Sequence, residues 1–100
     1  MKVVYSCSTD LKGKVESILQ KDTTEKISFA RQGYDFKDGK TYGVEGWIIY
    51  LEADEDFIKW AEEQFGDLVK KLAEDKTNEI ALSIKQEKDR ASEGFGNLFG

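Results

Sequence analysis

Residues 47–51, Trp-Ile-Ile-Tyr-Leu, carry large apolar side chains on both faces of a predicted β-strand. Successive side chains of a strand point to opposite faces, so Ile48 and Tyr50 share one face and the other three residues share the second. Such a strand is usually central in its sheet, or one of its faces meets a partner. The segment therefore predicts a central strand, or a strand with one face in contact with a partner.

The rest of the chain alternates between strand and helix patterns. Period-two alternation predicts strands over residues 2–8, 26–36, 41–51 and 79–88, and apolar stripes at helical spacing predict helices ending near Gln20 and Leu72. The turn signal Lys37-Asp38-Gly39-Lys40 joins the second and third strands in a tight hairpin. With right-handed crossovers, this β-α-β-β-α-β order gives a four-stranded antiparallel sheet with two helices on one face. The expected fold is α+β, a ferredoxin-like two-layer sandwich with strands 1 and 3 central.

The chain of 100 residues is the size of one domain. We predict a single domain over residues 1–88 and a Gly/Phe-containing C-terminal tail over 89–100. In the tail, three large apolar residues stand among glycines: Phe95, Leu98 and Phe99. Two interpretations stay open for it, a disordered end or a segment that folds over an apolar patch of its own or a neighbouring protomer.

The residue types present exclude several chemistries. The chain has no histidine and a single cysteine, Cys7, so it cannot build His-dependent catalytic sites, a Cys₄ metal site or an intrachain disulfide. Cys7 at the end of the first strand is best interpreted as a small buried residue, with a reactive thiol as the alternative. We expect no enzymatic activity and no cofactor. With no signal-like pattern and no apolar run of about 20 residues, we also expect a cytoplasmic protein without a membrane partner.

Acidic residues are concentrated between positions 52 and 67, where seven carboxylates face one lysine while the whole chain has a net charge of −5. Asp54 is the predicted N-cap of the second helix, where carboxylates also favour the helix dipole. Alternating oxygens from Glu52, Asp54 and Asp56 could instead hold a weakly bound Mg²⁺ or Ca²⁺. The high charged fraction, 35% and mostly lysine among the cations, leans towards a thermophile.

The segment Lys40-Thr41-Tyr42-Gly43-Val44-Glu45-Gly46-Trp47 loosely resembles the RNP1 octamer of RNA-recognition motifs. Lys40, Tyr42 and Gly43 match that pattern, whereas Val44 replaces an aromatic residue. The resemblance implies that Tyr5 and Tyr42 stack RNA bases on an open sheet face. The net acidity of the chain opposes binding to a phosphate backbone.

These observations favour a small non-enzymatic protein-interaction module that self-associates as a homodimer through the free sheet face or the tail. The alternatives are a single-stranded RNA-binding domain and a weak divalent-cation site at the start of the second helix. The candidate interaction surface consists of the large apolar and aromatic residues Tyr42, Trp47, Tyr50, Trp60, Phe95, Leu98 and Phe99.

Overall fold

The computed structural model describes residues 1–21 and 27–99, with side chains described up to residue 90. The strands are β1 (Lys2–Cys7), β2 (Asp35–Asp38), β3 (Trp47–Glu52) and β4 (Lys70–Lys71). The α-helices are α1 (Lys12–Gln20), α2 (Phe29–Gln32), α3 (Glu55–Phe65) and α4 (Glu74–Phe99). Short 3-10 turns precede α1, follow β2 and follow α3.

The four strands form one antiparallel sheet in the order β2-β3-β1-β4. In its register, Val4 of β1 lies opposite Tyr50 of β3, and Phe36 of β2 lies opposite Ile49 of β3. The predicted mixture of helices with a four-stranded antiparallel sheet is therefore confirmed, and the first and third strands are central as expected.

Both faces of the central strands are buried. On one face, β1 and β3 pack against α1 and α3 around residues such as Val15, Ile49 and Phe65. On the other face, Ile48 packs against Ile80 and Ile84 of α4. The prediction of two layers is wrong, because α4 forms a third layer on the face that was expected to be open.

The predicted last strand over residues 79–88 is wrong, because this segment lies within α4. Ile80 and Ile84 are each 1% exposed, whereas Leu82 between them is 56% exposed. That pattern is helical, since residues four apart share one face of a helix and residues two apart do not.

The last strand is instead β4, which lies inside the predicted second helix. Helix α3 ends at Phe65 because Gly66 follows with a φ of 55°, a conformation that glycine adopts readily. The chain then makes a 3-10 turn and pairs with β1, where Lys70 lies opposite Ser6. The apolar residues Leu68 and Val69, which extended the predicted helical stripe, pack against the core from this turn.

Two further boundaries differ from the predictions. The strand expected over 26–36 contains the short helix α2, whose N-cap Ser28 accepts a hydrogen bond from the Arg31 backbone N–H at 3.2 Å. The hairpin between β2 and β3 has an eight-residue connection from 39 to 46 rather than a tight turn, and Gly43 and Gly46 within it both have positive φ. Residue 26, where the strand over 26–36 was predicted to begin, lies outside the described residues.

Candidate interaction surface

Helix α4 crosses the sheet from β4 towards β2. Just before the helix, the Leu72 backbone N–H donates to the Val4 carbonyl of β1 at 2.9 Å. The middle of the helix packs over β1 and β3, where Ile80 and Ile84 meet a cluster that includes Tyr50. Farther along, the helix reaches β2, which is an edge strand of the sheet.

Charged side chains fix α4 to β2. Lys37 Nζ donates to Glu87 Oε2 at 3.1 Å, and the Tyr42 hydroxyl donates to Glu87 Oε1 at 2.9 Å. These donors lower the pKa of Glu87, and the carboxylate in turn raises the pKa of Lys37. One residue later in the helix, Lys88 Nζ lies 3.1 Å from Asp35 Oδ2. These contacts place residues 87 and 88 of the helix above β2.

The helix is longer than the sheet is wide. Its 26 residues span about 39 Å at 1.5 Å per residue, whereas four strands about 4.8 Å apart span about 14 Å. Because Glu87 and Lys88 already contact the edge strand, the backbone of residues 89–99 continues for about 16 Å beyond it. We call these residues the α4 extension. The predicted tail begins at the same residue, and its division from a domain over 1–88 stays a prediction.

Two predicted interaction residues are buried beneath α4. Tyr42 is 8% exposed and Tyr50 is 7% exposed, both in the cluster that the helix covers. Burial, with the neighbouring Glu52 carboxylate, raises the pKa of Tyr50 to about 12, and burial also raises the pKa of Tyr42. Neither tyrosine is accessible to a partner while α4 lies on the sheet.

The two tryptophans are partly buried in the opposite layer. The Trp47 ring lies 5.2 Å from the Phe36 ring and has the Lys12 ammonium 3.9 Å from its centroid, a cation–π arrangement. The Trp60 ring lies 5.0 Å from that of Phe29 and 5.4 Å from that of Phe57. Both rings thus have packing partners within the chain, and their role at an interface stays a prediction.

The two tyrosines that the RNP1 resemblance assigns to base stacking are both buried. Tyr5 and Tyr42, which the RNP1 resemblance places together on an open face, lie in opposite core clusters. Tyr5 is 1% exposed, and its hydroxyl donates to Glu62 Oε2 at 2.8 Å. Burial and this carboxylate raise the pKa of Tyr5. The RNP1 resemblance therefore does not extend to the geometry of these side chains.

The acidic run has structural partners at several positions. Asp54 is the N-cap of α3, and its side chain accepts from the Phe57 backbone N–H at 2.8 Å as predicted. Glu52 accepts from the Tyr50 hydroxyl at 3.3 Å. Within residues 1–21 and 27–90, no three or more Cys, Asp and Glu side chains are grouped to hold a metal ion. The geometry therefore gives no support to cation binding by Glu52, Asp54 and Asp56.

Cys7 lines a polar cleft of about 690 Å³ at the carboxyl end of β1. The cleft combines the hydroxyls of Ser8 and Thr9 with one ammonium, from Lys70, and nearby carboxylates such as Asp67. Cys7 is buried, and burial raises the pKa of its thiol. A thiol of this kind stays protonated near neutral pH and is a poor nucleophile. The interpretation of Cys7 as a buried strand residue fits these observations.

Sequence reasoning missed the contact set that fixes α4, namely Lys37, Tyr42 and Glu87. A strand over 79–88 would direct its charged side chains to solvent, so no contact of Glu87 with β2 was predicted. The available signal was the spacing of Ile80, Ala81 and Ile84, which fits one face of a helix.

No protein-family model, curated protein or solved structure matches this chain. Across the described residues, no helix is both long enough and apolar enough to span a membrane.

Proposed function

We propose that this protein is a small protein-interaction module that self-associates through the α4 extension. The observation that carries this proposal is the continuation of α4 beyond β2 with an apolar stripe in its sequence. The sheet face, which was the other candidate surface, is covered by α4 itself. Self-association consequently depends on the extension.

The apolar stripe of the extension continues the buried stripe of the same helix. At about 100° per residue, positions 91, 95 and 98 fall within about 60° of the direction of Ile80, and position 84 lies in the same sector. These positions are occupied by Ala91, Phe95 and Leu98. The helical spacing of apolar residues that includes Ile80 and Ile84 therefore continues in the sequence of the extension.

Covering this stripe would be favourable enough to drive association. Full burial of a Phe or Leu side chain contributes roughly 1.5–3 kcal/mol, and Phe95 and Leu98 offer two such side chains in each copy. The loss of translational and rotational freedom on binding offsets part of this free energy of burial. Gly94 and Gly96 each disfavour helix by about 1 kcal/mol relative to alanine, so contact with a second copy would also stabilise the helix there.

We also propose a more specific description of the fold. The strand order β2-β3-β1-β4 supports a ferredoxin-like βαββαβ core, to which α4 is added as a cover for the second face. In this description the module has no catalytic machinery of its own and acts in the cytoplasm. The absence of histidine and the single buried cysteine support the first point.

Sedimentation velocity of the full chain over about 1–100 µM tests the proposal. We expect a reversible monomer–dimer equilibrium that Leu98→Asp weakens at least about tenfold, because a carboxylate would enter the apolar stripe. Asn97→Asp is the matched control: it adds the same charge about 100° away from the stripe and should leave the equilibrium unchanged. A monomer at every concentration, or equal effects of the two substitutions, would contradict the proposal.

A further inference from the structure

A groove runs along one side of α4, where the helix passes the start of β1 and the end of β3. Its larger part has a volume of about 580 Å³, and a part of about 430 Å³ continues it, since Lys2 and Asn78 line both. From the sheet, Lys2 and Tyr50 line the larger part. Two of the three large apolar side chains that are exposed within the described residues line this groove, Met1 at 59% and Leu82 at 56%. Although α4 covers the centre of the sheet face, a surface beside the helix is therefore open.

The larger part of the groove and the α4 extension occupy nearly equal lengths of the same helix. On α4, this part is lined by residues between Asn78 and Asp89, which span about 16 Å at 1.5 Å per residue. The extension from Asp89 to Phe99 spans about 15 Å. Asp89 is thus the junction of the two segments. If two α4 helices lie side by side and antiparallel about Asp89, each extension follows the groove of the other copy.

The sequence of α4 is complementary to itself in this antiparallel register. One face of the helix is formed by positions at spacings of three and four, namely 82, 85, 89, 93 and 96. The first three of these positions line the groove. With Asp89 at the centre, Leu82 of one copy lies opposite Gly96 of the other, which has no side chain to obstruct it. Position 85 lies opposite position 93, which pairs a lysine with a glutamate. Among the residues whose side chains are described, Lys85 has no ion-pair partner.

We infer that two copies join side by side through α4, antiparallel about a two-fold axis at Asp89, with each extension in the groove of the second copy. This inference rests on the proposed self-association and specifies its interface. A two-fold axis perpendicular to the sheet keeps both helices in one layer, and packed helices lie about 8–10 Å apart. Glu87 and Lys88 contact the edge strand β2 before the axis is reached. The two sheets therefore lie on opposite sides of the axis, and neither α4 occupies the space of the other.

The same arrangement gives the apolar stripe of the extension a surface to cover. Positions 91, 95 and 98 fall in the sector of Ile80, which packs on the sheet. In this dimer the sheets lie on the same side of both helices, so the three positions lie over the part of the second copy's sheet that lines the groove, near Tyr50 and Lys2. That part of the sheet lies beside α4 and is not covered by it.

The two-fold axis places the Asp89 carboxylates of the two copies next to each other, and this contact gives a test by improvement. Like charges that face each other oppose association, and Asp89 has no ion-pair partner among the described side chains. Asp89→Asn should therefore lower the dissociation constant of the dimer at least about threefold in sedimentation velocity. Glu63→Gln is the matched control: it removes one carboxylate from an exposed site on α3, in the opposite layer, and should leave the constant unchanged. A variant that fails to fold cannot produce tighter association.

A disulfide test locates the axis. In a Cys7→Ser background, Asp89→Cys places one thiol of each copy at the axis, and mild oxidation should give covalent dimer. Gln86→Cys is the matched control on the same exposed part of the helix. The two copies of position 86 lie about 9 Å apart along the helices and about 60° away from the facing side, whereas a disulfide requires Cα atoms within about 7 Å. We expect at least about tenfold less covalent dimer from this control.

The outcomes separate this interface from self-association itself. In samples that sediment as dimers, an unchanged dissociation constant for Asp89→Asn, or equal cross-linking at positions 86 and 89, would overturn the antiparallel α4 interface and leave self-association standing. If the unaltered chain never dimerises, the proposed function fails and the interface fails with it.

Discussion

Replacing Ile84 by alanine tests whether α4 holds the second face of the sheet. Ile84 is 1% exposed and packs in the cluster that contains Val4, Ile48 and Tyr50. Truncating a buried Ile to Ala removes about three methyl or methylene groups and leaves a cavity, with a usual loss of 2–5 kcal/mol. Because α4 packs on one side only and its side chains can adjust, we expect the lower part of that range, about 2–3 kcal/mol.

Leu82→Ala is the matched control for this experiment. Leu82 lies two residues away in the same helix and loses the same number of carbon atoms, but it is 56% exposed. Its substitution should change the free energy of unfolding by no more than about 0.5 kcal/mol. The contrast is informative because a β-strand over 79–88 would bury positions 82 and 84 on the same face and predict similar losses for both.

The assay is urea unfolding of both variants at the lowest practical concentration, followed by far-UV circular dichroism and by tryptophan fluorescence. Circular dichroism reports on the helices, and Trp47 and Trp60 report on the layer opposite α4. For a domain of this size, 1 kcal/mol shifts the melting temperature by about 4–8 °C, so Ile84→Ala should lower it by about 8–24 °C. Equal losses for Ile84→Ala and Leu82→Ala would refute the helical assignment of this segment.

Three further predictions concern buried polar groups. Tyr5→Phe removes the hydroxyl that donates to Glu62 at 2.8 Å and should cost about 1 kcal/mol in urea unfolding, a small loss because Glu62 can be solvated. The pKa values of Tyr42 and Tyr50 are raised in the folded state, that of Tyr50 to about 12, so stability should be complete below pH about 10 and fall between about 10 and 12. Melting temperatures at pH 8 and 11, with phenolate absorbance at 295 nm, check this, and a melting temperature independent of pH would contradict it. Cys7 should resist a thiol reagent in the folded protein and react fully in denaturant, because its thiol is buried and its pKa is raised; rapid labelling of the native chain would be the opposite result.

The central part of the fold was predictable because local pattern and tertiary environment agree there. Ile48 and Tyr50 on one face of β3, with Ile49 and Leu51 on the other, indicated a central strand, and β3 is central in the sheet with α4 on one side and α1 and α3 on the other. Asp54 was predictable as an N-cap for a similar reason, since a carboxylate at that place satisfies a free backbone N–H of the first turn.

The C-terminal third was not predictable by the same reasoning, because its apolar residues fit two periods at once. In the segment from Ile80 to Ile84, the apolar residues recur at a spacing of two, and the same segment also has the spacing of four that a helix requires. Gly66 was the decisive signal for the earlier boundary: a glycine at this point can end a helix, which leaves the following residues free to form β4. If the helix is instead extended past Gly66 to Leu72, the next segment with a strand pattern is 79–88.

The corrected position of α4 changes which surface can meet a partner. An exposed sheet face with Tyr42 would have favoured stacking with nucleic-acid bases, but Tyr42 instead donates its hydroxyl to Glu87 beneath the helix. The contacts of Glu87 and Lys88 with β2 place the end of the sheet-covering part of α4 directly over the edge strand. The backbone of the α4 extension then follows directly after the part of the helix that lies over β2.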